Sequence, residues 1–261
     1  MSTLDLGDVR LAYSVEGEGA PVLLLHGHGG WRDCWELQVA ALAPRYRTLR
    51  MDLRGHGESS KPAGPYTMSQ LAADAAAVLR HAAGAPSHVL GHSLGGAVAL
   101  QLALDAPELV RSLVIINSQA CLARPRGIAR MATAGSTLVP RLLGFRLHAR
   151  AIAAGYLPGR HLAGRRAQLI EAWSRNDLAG YLAAASATVD FDVRARLGEI
   201  SVPVLVAGSD RDVLPWEAKR ALASGVKRGR LVRISGSRHI ALWDQPAALN
   251  REILEFLASV P

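Results

Sequence analysis

Short apolar runs that alternate with stretches of helical period constrain this chain more than any other feature. Val9 to Val15, Pro21 to Leu25 and Tyr46 to Met51 read as strands, the first two parted by the turn Glu16-Gly17-Glu18-Gly19. Met68 to Ala83 then carries apolar residues at helical spacing, with Thr67 or Ser69 placed to cap it and Gly84 to stop it. The alternation continues with a strand at His88-Val89-Leu90, a helix to Leu104 and a strand from Ser112 to Ile116. Further apolar runs at Val204 to Ala207 and Leu231 to Ile234 precede a last helix over about Ala247 to Leu257. Strands alternating with amphipathic helices predict an α/β fold: a mostly parallel central sheet with helices on both faces. Ligands of such sheets bind beyond the carboxyl ends of the strands.

Residues Cys121 to Gly198 break this rhythm. They contain several helical stretches and little that reads as strand, punctuated by Pro125, Pro140 and Pro158. The expected organisation is a core domain from residues 1–120 and 199–261, with a helical cap inserted as 121–198 over the carboxyl edge of the sheet.

The cap is also where the charge is uneven. The net charge of +8 comes almost entirely from arginine, and between Ala120 and Ile200 twelve arginines face five acids. Such an excess attracts anionic substrates or surfaces. In a chain rich in Ala, Arg and Gly throughout, a solvated outer face explains it more economically. No nucleic-acid motif accompanies it, so no nucleic-acid partner is expected. The start, Met1-Ser2-Thr3-Leu4-Asp5, has no basic segment leading into an apolar stretch, and no apolar run approaches the roughly 20 residues of a membrane helix. A cytoplasmic protein with no membrane partner is the expectation. The two cysteines, Cys34 and Cys121, lack metal-ligand spacing and read as ordinary thiols.

Chemistry enters at one strand-to-helix junction. Gly91-His92-Ser93-Leu94-Gly95 follows the apolar Val89-Leu90 and precedes Gly96-Ala97-Val98-Ala99-Leu100. A serine in so sharp a turn takes up a strained backbone, its hydroxyl is pushed out over the sheet edge, and the helix N-terminus points at it. Ser93 is therefore the candidate nucleophile.

Four motifs in order make the chain similar to the α/β-hydrolase superfamily over nearly its whole length outside the cap. His26-Gly27-His28-Gly29-Gly30 resembles the loop after the third strand, and Asp52-Leu53-Arg54-Gly55-His56-Gly57-Glu58-Ser59 the segment after the fourth. Gly91 to Gly96 resembles the nucleophile elbow, and Gly236-Ser237-Arg238-His239 the ending that carries the catalytic histidine. The resemblance implies a serine hydrolase of the esterase and lactonase kind. A hydroxyl is a poor nucleophile at neutral pH and needs an imidazole to take its proton and return it to the leaving group. His239 is the candidate base. His56 and His92 read as structural, and His26 and His28 have no third ligand pattern to make a metal site.

An acid must orient the imidazole. The loop Gly208-Ser209-Asp210-Arg211-Asp212-Val213-Leu214-Pro215 offers two carboxylates, and the family's commonest spacing falls on Arg211. Esterases that place the acid four residues after the glycine favour Asp212 over Asp210. The carboxylate left over is expected to pair with Arg211 or cap a helix starting near Trp216. The resemblance assigns the oxyanion donors to the backbone N–H groups of Leu94 and His28. It implies no metal and no organic cofactor, only a small ester-like substrate and water.

Expected pocket walls are Trp31, Trp35, Ile240 and Trp243 with Phe145, Tyr156, Trp173 and Tyr181 from the cap. Two other readings stay open: an enol-lactonase or C–C hydrolase that uses the cap arginines to hold a carboxylate-bearing substrate, and a ligand receptor with slow or no turnover.

Overall fold

The computed structural model of the chain describes residues 1–122 and 128–260, the side chains of 128–139 and 143 excepted. Pro125, Arg124 and Arg126 lie outside the described residues. Strands β1 (Ser2–Asp5), β2 (Arg10–Glu16), β3 (Ala20–Leu25), β4 (Tyr46–Met51), β5 (Ser87–His92), β6 (Val110–Ile116), β7 (Val204–Ser209) and β8 (Gly229–Ile234) form one eight-stranded sheet in the order β1-β2-β4-β3-β5-β6-β7-β8. β1 and β2 join antiparallel, and every pair from β3·β4 onward is parallel. β1, a short exposed edge strand with only Leu4 part-buried, carries too little apolar pattern to be read from sequence.

Period-two alternation in the central strands divides the interior into two cores. Leu23 and Leu25, Leu113 and Ile115, and Val204 and Val206 face one side, where helices α2 (Met68–Ala82) and α3 (Leu94–Asp105) lie. Val22 and Leu24, Val114 and Ile116, and Leu205 and Ala207 face the other, against α1 (Glu36–Leu42) and two later helices, α8 (Ala241–Asp244) and α9 (Pro246–Ser259). α2 begins with a capping box. Thr67 Oγ1 accepts from the Gln70 N–H at 3.2 Å, and Gln70 Oε1 accepts from the Thr67 N–H at 2.8 Å.

Between β6 and β7 the chain builds α4 (Ile128–Tyr156), α5 (Ala163–Ser174) and α6 (Leu178–Ser186); α7 (Trp216–Gly225) then links β7 to β8. α4 is interrupted at Gly144, whose φ of 75° lies outside helical space. The two ends of this segment pair with each other: Val193 N–H donates to the Ala120 carbonyl at 2.8 Å, and Leu122 N–H to that of Phe191 at 2.9 Å. These helices are packed into the second core, since Ala149, Ala153, Leu162 and Trp173 share it with Trp243 and Ile240. Backbone meets backbone at the seam. A methyl group on Gly180 would stand 2.6 Å from the Gly55 carbonyl oxygen, and one on Gly29 would press on Trp173 and Tyr181 at 3.1 Å. Among the described residues, no helix is long and apolar enough to cross a membrane.

Candidate active site

β5 ends at His92 and α3 begins at Leu94, so Ser93 alone makes the turn, with φ 52° and ψ −116°. A non-glycine residue there is strained, and the surrounding structure holds it. The Ser93 N–H donates to the Ile116 carbonyl at 3.0 Å. Close packing enforces the flanking glycines, because a methyl on Gly91 would fall 2.2 Å from the Gly95 carbonyl oxygen and one on Gly95 2.1 Å from that of Leu25.

The loops after β7 and β8 bring two distant residues to this hydroxyl. His239 Nε2 lies 3.0 Å from Ser93 Oγ, and His239 Nδ1 lies 2.6 Å from Asp212 Oδ1. With its proton on Nδ1, the ring donates to Asp212 and accepts from Ser93. Burial alone would raise the Asp212 carboxyl, but the hydrogen bond and charge of His239, with the charge of Lys219, hold it below the ordinary value. Asp210 points elsewhere. It is exposed, and the structure records no ion pair or cap for its side chain among the described residues. The expected pairing with Arg211 or cap on α7 is thus corrected: Pro215 occupies the N-cap position, with no side-chain cap.

Three further side chains fasten the histidine loop. Asn117, at φ 45° just past β6, donates from Nδ2 to the carbonyls of Arg238 and His239 at 3.1 and 3.0 Å, and its Oδ1 accepts from the Ser209 N–H. Asp244 accepts from Ser237 Oγ and the Arg238 N–H, both at 2.6 Å. His92 does more than pack locally: its Nε2–H donates to the His239 carbonyl at 2.8 Å, and burial lowers its pKa to about 3. None of the three stands out in sequence, because each acts across more than a hundred residues or through a short loop with no signature.

The loop after β3 lies beside Ser93, and a methyl on Gly27 would come within 3.1 Å of Ser93 Cβ. Neither the His28 nor the Leu94 N–H has a partner among the described residues. His56 supports this loop by accepting the Gly29 N–H at 3.0 Å and donating to the Arg54 carbonyl at 3.2 Å. His26 accepts the Leu53 N–H at 3.1 Å. The His28 ring reaches α6, donates to the Tyr181 carbonyl at 2.9 Å and stacks on the Tyr181 ring at 3.9 Å. Burial lowers its pKa to about 4, so the ring is neutral at pH 7.

A cavity of about 430 Å³ opens onto Ser93 and His239. Trp31, Ile240, Trp243, Tyr156, Trp173 and Tyr181 line it as the sequence suggested. Trp35 and Phe145 do not. Trp35 is wholly buried in the second core, and Phe145 stands behind Tyr181, edge to face at 5.0 Å. Sequence reasoning missed His148, which stacks on Trp173 and lies 3.2 Å from the Tyr181 hydroxyl. No Arg, Lys, Asp or Glu among the described residues lines the cavity. Arg141, Arg146, Arg150 and Arg160 are exposed, Arg165 pairs with Glu36, and Arg166 donates to the Leu157 carbonyl.

Known proteins share both pattern and shape. A family model described as alpha/beta hydrolase fold matches residues 20–246. A protein provisionally named carbamate hydrolase RutD, from Azorhizobium caulinodans, is 32% identical over 97% of each chain. The 3-oxoadipate enol-lactonase 2 of Acinetobacter baylyi is 30% identical over 96% of this chain and 94% of its own. A hydrolase structure from Pseudomonas aeruginosa superposes with a TM-score of 0.89 at 28% identity, covering 99% of this chain and 98% of that one. With the sheet order, the elbow and these matches in agreement, the chain belongs to the α/β-hydrolase fold family.

Proposed function

We propose that this hydrolase cleaves a carboxylic ester, or a related acyl bond, of a small uncharged molecule through a Ser93–His239–Asp212 triad and an acyl-enzyme. The observation that carries the reading is the continuous chain of contacts from Ser93 Oγ through His239 to Asp212, at 3.0 and 2.6 Å. Ser93 Oγ adds to the carbonyl carbon, its proton passes to His239 Nε2, and the carbonyl π pair moves onto oxygen. The amides of Leu94 and His28 receive that oxyanion. Collapse expels the alcohol, which leaves with the proton from His239. Water then repeats the cycle on acyl-Ser93, releasing the acid. In this reading residues 121–198 form the cap that closes the cavity over Ser93.

The lining supports an uncharged, aromatic-compatible substrate over a dicarboxylate lactone. A buried carboxylate needs a cation within reach, and no described arginine of the cap lines the cavity, the half-buried Arg165 and Arg166 being engaged by Glu36 and by the Leu157 carbonyl. The volume suits a ligand of modest size. A panel of p-nitrophenyl esters, each offered beside an analogue bearing a free carboxylate, tests the proposal. Hydrolysis should favour the neutral member and should fall at least about 10⁴-fold in Ser93→Ala. Ser93-independent turnover would end the triad reading, and preference for the anionic member would end the substrate assignment. Tight saturable binding with no turnover would instead mark a receptor.

A further inference from the structure

Lys219 is fully buried, and nothing in the acyl-transfer cycle calls for a buried cation. It sits in the first turn and a half of α7, and its stem runs back past the helix N-terminus toward the loop that carries Asp212. Its Nζ donates to the Leu214 carbonyl at 2.9 Å and stands 2.6 Å from Asp212 Oδ2, the carboxylate oxygen that His239 does not use. Both side chains have zero exposure. Space for the stem is made on β7, because a methyl on Gly208 would fall 2.6 Å from Lys219 Cδ and 2.7 Å from the Trp216 ring. Arg233 covers Trp216, with its guanidinium carbon 4.4 Å from the ring centre.

Removing two charges from water costs several kcal/mol per ion, and a buried pair is a poor way to add stability to a fold. Its location gives it another use. A carboxylate in a dry site drifts toward its neutral form, and a protonated Asp212 could not hold the His239 proton on Nδ1. A fixed ammonium on Oδ2 keeps Asp212 ionised and fixes its rotamer. The same positive charge opposes a second proton on the resting imidazole, so that Nε2 stays free to accept from Ser93.

The geometry points to Lys219 as a positioning residue of the triad, an ammonium that fixes the charge and orientation of Asp212 and thereby sets the pH at which His239 becomes competent. The inference rests on the triad reading above. Few other ionisable groups surround this pair. Asp212 meets His239 and Lys219. The His239 ring lies 5.1 Å from that of His92 on β5 and 4.9 Å from that of Tyr156 on α4. Arg238 extends away to the Gly155 carbonyl, Asp244 is engaged by Ser237 and the Arg238 N–H, and Arg211 is exposed. Lys219 is therefore the cation in direct contact with the carboxylate.

Lys219→Met keeps the stem and removes the charge, and Lys219→Gln keeps a donor without the charge. The experiment is the pH dependence of kcat/KM for both variants and wild type on one neutral ester, with melting temperature as the folding control. The acidic limb is expected to move up by about one pH unit in both variants, which lowers kcat/KM by up to about tenfold at pH values below it. KM should stay near the wild-type value, since Lys219 does not reach the cavity, and activity should recover partly at high pH. An acidic limb superimposable on wild type, with the change confined to melting temperature, would make Lys219 a structural cation only, as would failure of both variants to fold. The triad reading fails separately, through wild-type turnover in Ser93→Ala.

Discussion

The sheet edge and the helices between β6 and β7 enclose one cavity by opposite means. At the edge, each candidate chemical group sits within a few residues of a strand end: Ser93 after β5, Asp212 after β7, His239 after β8, and the amide of His28 after β3. Backbone geometry fixes them, through a positive φ, close glycines and side-chain-to-carbonyl hydrogen bonds. In the helices between β6 and β7 the ring-bearing cavity residues are His148, Tyr156, Trp173 and Tyr181, presented from helix faces beside Ile152, Leu169 and Ala185 and held by ring contacts and apolar packing. The first is held mainly by backbone contacts, the second mainly by side-chain packing. In the proposed reading the strand ends carry the chemistry and the helices choose the substrate.

Asp212→Asn strikes hardest at this division and is expected to lower kcat by about 10⁴-fold, because an amide favours the wrong imidazole tautomer. Asp210→Asn, two residues away and exposed, should stay within about threefold of wild type. The reverse outcome in steady-state assays would move the acid. On the helical side, Trp173→Ala is expected to raise KM for aryl esters by about tenfold through loss of an aromatic wall. Its effect on kcat should be smaller, and a collapse of kcat with unchanged KM would show that the helices take part in the chemistry.

Acid stability draws on buried bases in both regions, since burial also lowers the pKa of His148 on α4. Burial holds the pKa of His28 to about 4 and that of His92 to about 3, below the ordinary 6.5. A base depressed in the folded state contributes stability above pH 6.5. That contribution is lost as pH falls, because the unfolded chain takes up protons that the folded one refuses. Each of these two histidines adds up to about 1.4 kcal/mol per pH unit of slope between pH 6.5 and about 4. Urea midpoints measured at half-unit steps should fall across that window, and a His92→Asn variant should fall less steeply. The smallest effect belongs to the outer face. Replacing Arg141, Arg146 and Arg150 together by serine should leave kcat/KM on a neutral ester within about twofold, with the salt dependence unchanged. A larger loss would return the arginines to substrate recognition.

The sheet edge was legible in sequence because its geometry demands particular residues. Glycine at 91 and 95 is dictated by contacts near 2 Å, and a serine flanked by them after an apolar run has few structural explanations. The parallel strands were found to within about two residues, since continuous apolar runs are what a sheet covered on both faces requires. Position 212 was favoured over 210 only through the resemblance, by the spacing that some esterases keep between glycine and acid. Lys219, Asn117 and His148 were not legible, each for a physical reason. A buried lysine on an amphipathic helix looks like a solvated one, an asparagine after a strand looks like a turn residue, and a histidine on a helix face gives no sign of what lies across the cavity. The arginine excess gave no view of the cavity lining, because composition does not say which way a side chain points.

Gly55 and Gly180 meet where the two regions touch, and their contact bears on how such a chain can change. The aromatic residues around the cavity meet one another through side chains, so a change of size at one can be met by its neighbours. Position 180 has no comparable freedom: even alanine there would collide with a carbonyl on the opposite side. A helical segment borrowed from a relative would therefore have to bring a residue without a side chain to this one point, whatever else it carried. The route to new substrates runs through the largest side chains of the molecule, and it stays open only while two of the smallest remain as they are.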